Sequence, residues 1–237
     1  MMECITANNI EEFLNKLKAI DIKVPPRANG RSTKHCEIWS VCRLLSTLAN
    51  IGELSFPLQL THDDRPDFIL EMGERKIGIE TTEAVNQQYA WASTFPEARN
   101  NFIDVSHFKY GTPKRIKKEL LSIVSQDQNT GPGWEGDSVE REYADIITDS
   151  INSKIKKLRN EEFNKFGKNW LSIFFNYTLP CLEFDEANNL LRQKLFSYWE
   201  SESVFSDVFV EIYQRIIWYS SDRTEILTIN NLWKTDQ

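Results

Sequence analysis

The chain has 237 residues, enough to bury a substantial core as one domain, and its 41% hydrophobic and 12% aromatic content fits a folded globule rather than a disordered chain. A net charge of −7 with a pI near 5.2 excludes a protein that coats nucleic acid through its overall charge, but leaves room for a site that is acidic at its centre and basic at its rim. The four cysteines (Cys4, Cys36, Cys42, Cys181) have neither CxxC spacing nor framework density, which argues against a zinc site or a disulfide scaffold.

The N-terminal stretch "MMECITANNIEEF" lacks a basic-then-apolar leader, and no apolar run reaches bilayer length. A soluble cytoplasmic protein with no membrane partner is expected. A short helix around Ile10–Ile20 precedes the Pro/Gly-containing linker "KVPPRANGRS", so residues 1–32 read as helix plus linker. From Thr33 to Asn50, Ile38, Val41, Cys42, Leu45, Leu48 and Ala49 recur at helical spacing, with Thr33 as cap and Gly52 past the end. Three strand-like pieces follow at Phe56–Thr61, Asp67–Met72 and Lys76–Thr82.

The middle of the chain reads as helical near Pro113–Val124 and Val139–Leu158, separated by the loop "SQDQNTGPGWEGDS", with a helical insertion over about 96–138. "NWLSIFFNY", Asn169–Tyr177, is a buried strand by composition; a helix at Glu186–Trp199 and strands at Val204–Tyr213, Ile216–Tyr219 and Glu225–Ile229 complete the order. That order predicts a mixed α/β (α+β) layer fold in a single domain spanning 1–237.

The densest signal is "RPDFILEMGERKIGIETTEA", Arg65 to Ala84. Met72 and Arg75 flank Gly73-Glu74, a pair suited to a two-residue type II′ hairpin turn. In that register Glu71 faces Lys76, a favourable pair, and Asp67 faces Glu80 with Cβ atoms about 4.5–5.5 Å apart. Phe68, Leu70, Met72, Ile77 and Ile79 fall on the opposite, core-facing side. Two carboxylates this close, if partly buried, must take up a proton or share a cation, and oxygen donors favour a hard ion such as Mg²⁺. Gly78, two residues before Glu80, leaves room on that face for a ligand or another backbone. Two acids solvated at the end of an exposed hairpin are the alternative.

"RPDF" followed by "IGIETTE" resembles the signature of the PD-(D/E)XK nuclease superfamily, the restriction-endonuclease-like fold. The resemblance covers Thr33 to Glu83 and extends by element order through Tyr177. It implies a mixed sheet flanked by helices, with a helical insertion between the hairpin and the next strand. Asp67 matches the first acid, Glu80 the second, and Glu37 the acid of the preceding helix. By the same resemblance Asp67, Glu80 and the Thr81 carbonyl would hold Mg²⁺ or Mn²⁺ for phosphodiester hydrolysis in DNA, with RNA as the second candidate. A homodimer is compatible with this reading. Where the family carries Lys two residues after the second acid, Thr82 stands here. A nuclease-fold module that binds nucleic acid or protein without catalysis is therefore the rival expectation, and a purely structural role the third.

A replacement for the missing lysine sits in "VEREYADIITDSINSKIKKL". At 100° per residue Lys154 falls within the apolar stripe of Val139, Tyr143, Ile146, Ile147, Ile151, Ile155 and Leu158. An ammonium there requires an anion, such as the Asp67–Glu80 pair, or must snorkel from the helix end. Lys76 shares the face of Glu80, but Glu71 already accounts for it. Lys109, Lys114, Arg115, Lys117 and Lys118 concentrate positive charge in "FKYGTPKRIKKEL"; Lys114, Arg115, Lys117 and Lys118 are candidate phosphate contacts, with Lys156, Lys157 and Arg159 as a second cluster, and solvated helix faces are the alternative. Trp134 could stack on a base or anchor its loop. His62 could join a metal site or belong to the polar turn before Pro66.

Overall fold

The computed structural model describes residues 4–99, 101–125, 130–159, 166–200 and 205–233. Among these residues eight strands form one mixed sheet in sequential order: β1 (Cys4–Ala7), β2 (Leu58–His62), β3 (Phe68–Met72), β4 (Arg75–Ala84), β5 (Lys168–Phe175), β6 (Asp207–Ile212), β7 (Arg215–Tyr219) and β8 (Thr224–Thr228). Strands β4, β5 and β6 run parallel, and every other neighbouring pair is antiparallel. The helices are α1 (Ile10–Lys18), α2 (Thr33–Asn50), α3 (Gln87–Ala92), α4 (Lys117–Val124), α5 (Ser138–Leu158) and α6 (Phe184–Glu200). None is long and apolar enough to cross a membrane, among the described residues.

Period-2 alternation sorts the sheet's side chains into two cores. Phe68, Leu70, Ile77, Ile79, Phe209 and Trp218 pack with α1 and α2 on one face. Leu171, Ile173, Val208, Val210, Ile217 and Tyr219 pack with α5 and α6 on the other. The parallel strands at the centre are therefore covered on both sides, as their near-continuous apolar content demands. A third, small core (Ala92, Phe95, Phe108, Leu120, Val124) holds together the helical segment between β4 and β5. That segment begins with α3, earlier than the expected boundary near residue 96.

The hairpin register is the expected one: Glu71 pairs with Lys76 and Phe68 with Ile79. Gly73 takes φ 61, whereas Glu74 is not among the residues of positive φ, as a type II′ turn requires. Helix α2 spans Thr33–Asn50, but its cap is Ser32 rather than Thr33. The Ser32 backbone N–H donates to His35 Nδ1 at 3.0 Å, and its hydroxyl lies 2.8 Å from the same nitrogen. Strand β1 went unrecognised: four residues at a sheet edge carry too short an alternation to register.

Gly78 has a different role from the expected one. A Cβ built there would meet Phe166 Cδ2 and Asn169 Oδ1 at 2.9 Å and Pro66 Cγ at 3.0 Å, so side chains fill the space a ligand was expected to use. This close packing seats the residues before Asp67 against β4. Gly78→Ala is expected to cost about 1–3 kcal/mol through overpacking, read as a lowered melting temperature; an unchanged melting temperature would show that the contact yields freely.

Candidate functional site: an acidic cleft where two strands part

Strand β4 has ten residues and β3 only five, so β4 outruns its neighbour. The last β3–β4 pair is Phe68 with Ile79; from Glu80 to Ala84, the one strand paired with β4 among the described residues is β5. Backbone groups there that face the lost neighbour need other partners. The Thr81 N–H and hydroxyl both find the Asp67 carboxylate, donating to Oδ2 at 2.7 and 2.8 Å. A strand residue presents N–H and C=O to the same side, so the Thr81 carbonyl faces the same gap as Asp67.

Glu80 is 7% exposed and points to the α5 side of the sheet. Lys154, 8% exposed, reaches it from α5 and donates to Glu80 Oε1 at 2.5 Å. The lysine on the apolar stripe thus ends on one of the two hairpin acids. Burial first, then the charge of Asp67, raises the Glu80 carboxyl above the ordinary 4.5, while Lys154 pulls it back. From the other side of the sheet, Glu37 of α2 leans into the gap. Burial and then Asp67 raise it too, opposed by His62 and Lys154. His62 Nε2 lies 3.5 Å from Glu37 Oε2, and its ring packs edge-on against Phe68 at 5.0 Å.

Asp67, Glu80, Glu37 and Lys154 therefore line one cleft of about 590 Å³, together with Thr81, Thr82 and, at the rim, Arg65 and Lys157. Thr82 is half-buried in this wall. The oxygen donors suit a hard cation. Both Thr81 bonds fall on Asp67 Oδ2 and the Lys154 bond on Glu80 Oε1, so Oδ1 and Oε2 carry neither. Among the described residues no three His, Cys, Asp or Glu side chains enclose an ion by themselves. A donor set of two carboxylates and a carbonyl fits Mg²⁺, which keeps several waters, better than an ion needing a full protein cage.

The remaining candidates lie elsewhere. Lys76 pairs with Glu71 as the register requires. Lys114, Arg115, Lys117 and Lys118 belong to the helical segment and none lines the acidic cleft. Arg115 sets its guanidinium 6.0 Å from the Phe108 ring, and Lys117 lies 5.9 Å from Phe95. Trp134 anchors its loop by donating Nε1–H to Glu142 at 2.6 Å. Lys157 reaches the cleft, whereas Lys156 and Arg159 do not line it.

A cluster that sequence reasoning passed over adjoins this cleft. Arg27 and Arg31, from the stretch read as a linker, both donate to Glu83 Oε1, at 2.6 and 2.7 Å, and Asn176 Nδ2 donates to the same oxygen at 2.5 Å. Only Glu83, at the end of the motif "IETTE", hinted at it. Comparisons of the chain with protein-family models and curated proteins, and of its fold with solved structures, return no match.

The raised Glu80 carboxyl sets a sign for pH dependence. A group that binds its proton more tightly when folded contributes stability that is complete below its ordinary value and declines as pH rises through the raised one. Lys154→Met removes the cation that limits this rise. It is expected to cost about 3 kcal/mol near pH 8, roughly 6–12 °C in melting temperature. At about pH 5, where Glu80 can be neutralised by a proton, at least half of that deficit should return. An equal deficit at both pH values would contradict the assigned pairing.

Proposed function

We propose that the protein is a divalent-cation-dependent nuclease with a restriction-endonuclease-like core, hydrolysing phosphodiester bonds in DNA, with RNA as the second candidate substrate. The observation that carries this reading is the 2.5 Å contact of Lys154 with Glu80 at the point where Asp67 and Glu37 also converge. A lysine beside two metal-type acids restores the chemical set that Thr82 interrupts in the motif. The mixed sheet with helices on both faces, and the order helix, hairpin, helices, strand, agree with it.

Asp67, Glu80 and the Thr81 carbonyl would hold Mg²⁺ or Mn²⁺. When bound, such an ion supplies charge neutralisation at the phosphate and favours ionised water as the nucleophile. The chain's own groups do the positioning. The two Thr81 bonds fix the Asp67 carboxylate, and Lys154 orients Glu80 while presenting positive charge to the developing negative charge on phosphorus-bound oxygen. Glu37, held from behind by His62, is placed to accept a proton from the attacking water or to orient it through a second water. Lys157 at the rim meets the flanking phosphate.

The half-buried Thr82 favours one second reading, a nuclease-fold module that binds nucleic acid or protein without cutting. Incubation of plasmid, single-stranded DNA and RNA with Mg²⁺ or Mn²⁺ separates the two. Cleavage is expected, with a loss of roughly 10²–10³-fold in Asp67→Asn, Glu80→Gln and Lys154→Met. Absence of cleavage, or cleavage indifferent to these substitutions, would end the catalytic claim; metal-independent binding without cleavage would leave the second reading.

A further inference from the structure

Thr33, Cys36 and Glu83 line both the acidic cleft and a second groove of about 380 Å³, so the two adjoin. The second groove is walled by Arg27, Arg31 and Trp91. Its charge is unbalanced: two guanidiniums share the single carboxylate of Glu83, leaving one positive charge in excess. Both arginines are largely withdrawn from water, with side-chain exposures of 22% and 11%. An excess cation held in a partly desolvated wall calls for an anion. Most of the guanidinium donors are unspent: among the described residues Arg27 donates once, to Glu83, and Arg31 twice, to Glu83 and to Cys36 Sγ.

Trp91 adds a second kind of contact. It is 45% exposed, unusual for an indole, and its ring is braced by Phe95 at 5.6 Å and 76°. Phe95 also carries the Lys117 ammonium, 5.9 Å from its ring. Beside the acids, the groove thus offers paired arginines and an exposed indole. Alternating cations and an aromatic face suit a nucleic-acid strand whose phosphates meet the cations and whose base stacks on the ring. Stacking on an indole requires a base that has left its own stack, which a duplex interior does not offer.

We propose that this groove is a single-strand track: a phosphate outside the acidic cleft seats on Arg27 and Arg31, and an unpaired base stacks on Trp91. The proposal rests on the reading of the cleft as a phosphodiester site and narrows its substrate to single strands or unpaired ends.

Binding measured without metal tests the track apart from the chemistry. The fluorescence anisotropy of end-labelled single-stranded DNA, single-stranded RNA and a blunt DNA duplex of equal length would be followed in EDTA. Either single strand is expected to bind at least about ten-fold more tightly than the duplex. Trp91→Ala should weaken single-strand binding about ten-fold, with Trp91→Phe within about three-fold of the unaltered protein. Arg27→Gln should weaken it and reduce the salt slope by about one. Asp67→Asn should bind at least as well as the unaltered protein. Equal affinity for duplex and single strand, or no effect of Trp91→Ala, would overturn the track. This binding pattern in a protein that cuts nothing would count against the catalytic reading alone.

Discussion

Burying Glu80 next to Asp67 costs free energy that only a nearby cation or a proton can offset, and the fold supplies the cation from α5, the helix on the side of the sheet to which Glu80 points. The need arises in the backbone. Because β3 stops at Phe68 while β4 continues, the Thr81 N–H loses its strand partner and takes the Asp67 carboxylate instead. That bond fixes one acid at the parting of two strands, beside a second acid whose side chain the pleat directs towards α5. Lys154 then pairs with that second acid, Glu80. The same geometry that makes the site costly for the fold underlies its proposed use as a divalent-ion site, since an ion would relieve the repulsion that burial intensifies.

Helix α2 completes the site from the opposite face, and its orientation is fixed by buried polar contacts rather than by apolar packing alone. Arg43 Nε donates to Glu211 Oε1 at 2.8 Å, Trp39 Nε1 donates to the same oxygen at 3.1 Å, and the guanidinium lies 4.6 Å from the Trp39 ring. Ser40 and Ser172 hydroxyls meet at 2.8 Å. Breaking such a buried pair costs about 3–5 kcal/mol, so the rotation that aims Glu37 at the gap is strongly held. Burial raises the Glu211 carboxyl, and Arg43 draws it back, a balance like that of Glu80 and Lys154.

Much of this was legible in the residues themselves. The Gly73-Glu74 turn permits one register, which holds as far as Phe68–Ile79 and leaves Asp67 and Glu80 as the next residues beyond the last pair. Lys154 stood out because an ammonium on an apolar stripe has to be explained by an anion, and the anion proved to be Glu80. Other parts had no local signature. The role of Gly78 depends on Phe166 and Asn169, distant in sequence, and the pairing of Arg27 and Arg31 with Glu83 spans more than fifty residues. The basic run Lys114–Lys118 shows the converse: concentrated charge was obvious, but only the packing of α4 on α3 shows that it lies off the acidic cleft. The cap falls on Ser32 and not on the expected Thr33, one residue away, because a hydroxyl on either residue has the chemistry of a cap.

Divalent-cation binding by the protein without nucleic acid tests the account most directly. Titration with Mn²⁺, followed by the loss of the free-ion electron paramagnetic resonance signal, should show at least one ion bound per chain. Asp67→Asn and Glu80→Gln should each abolish that binding while the protein remains folded. No bound Mn²⁺ in the unaltered protein, or the same binding in both variants, would contradict it.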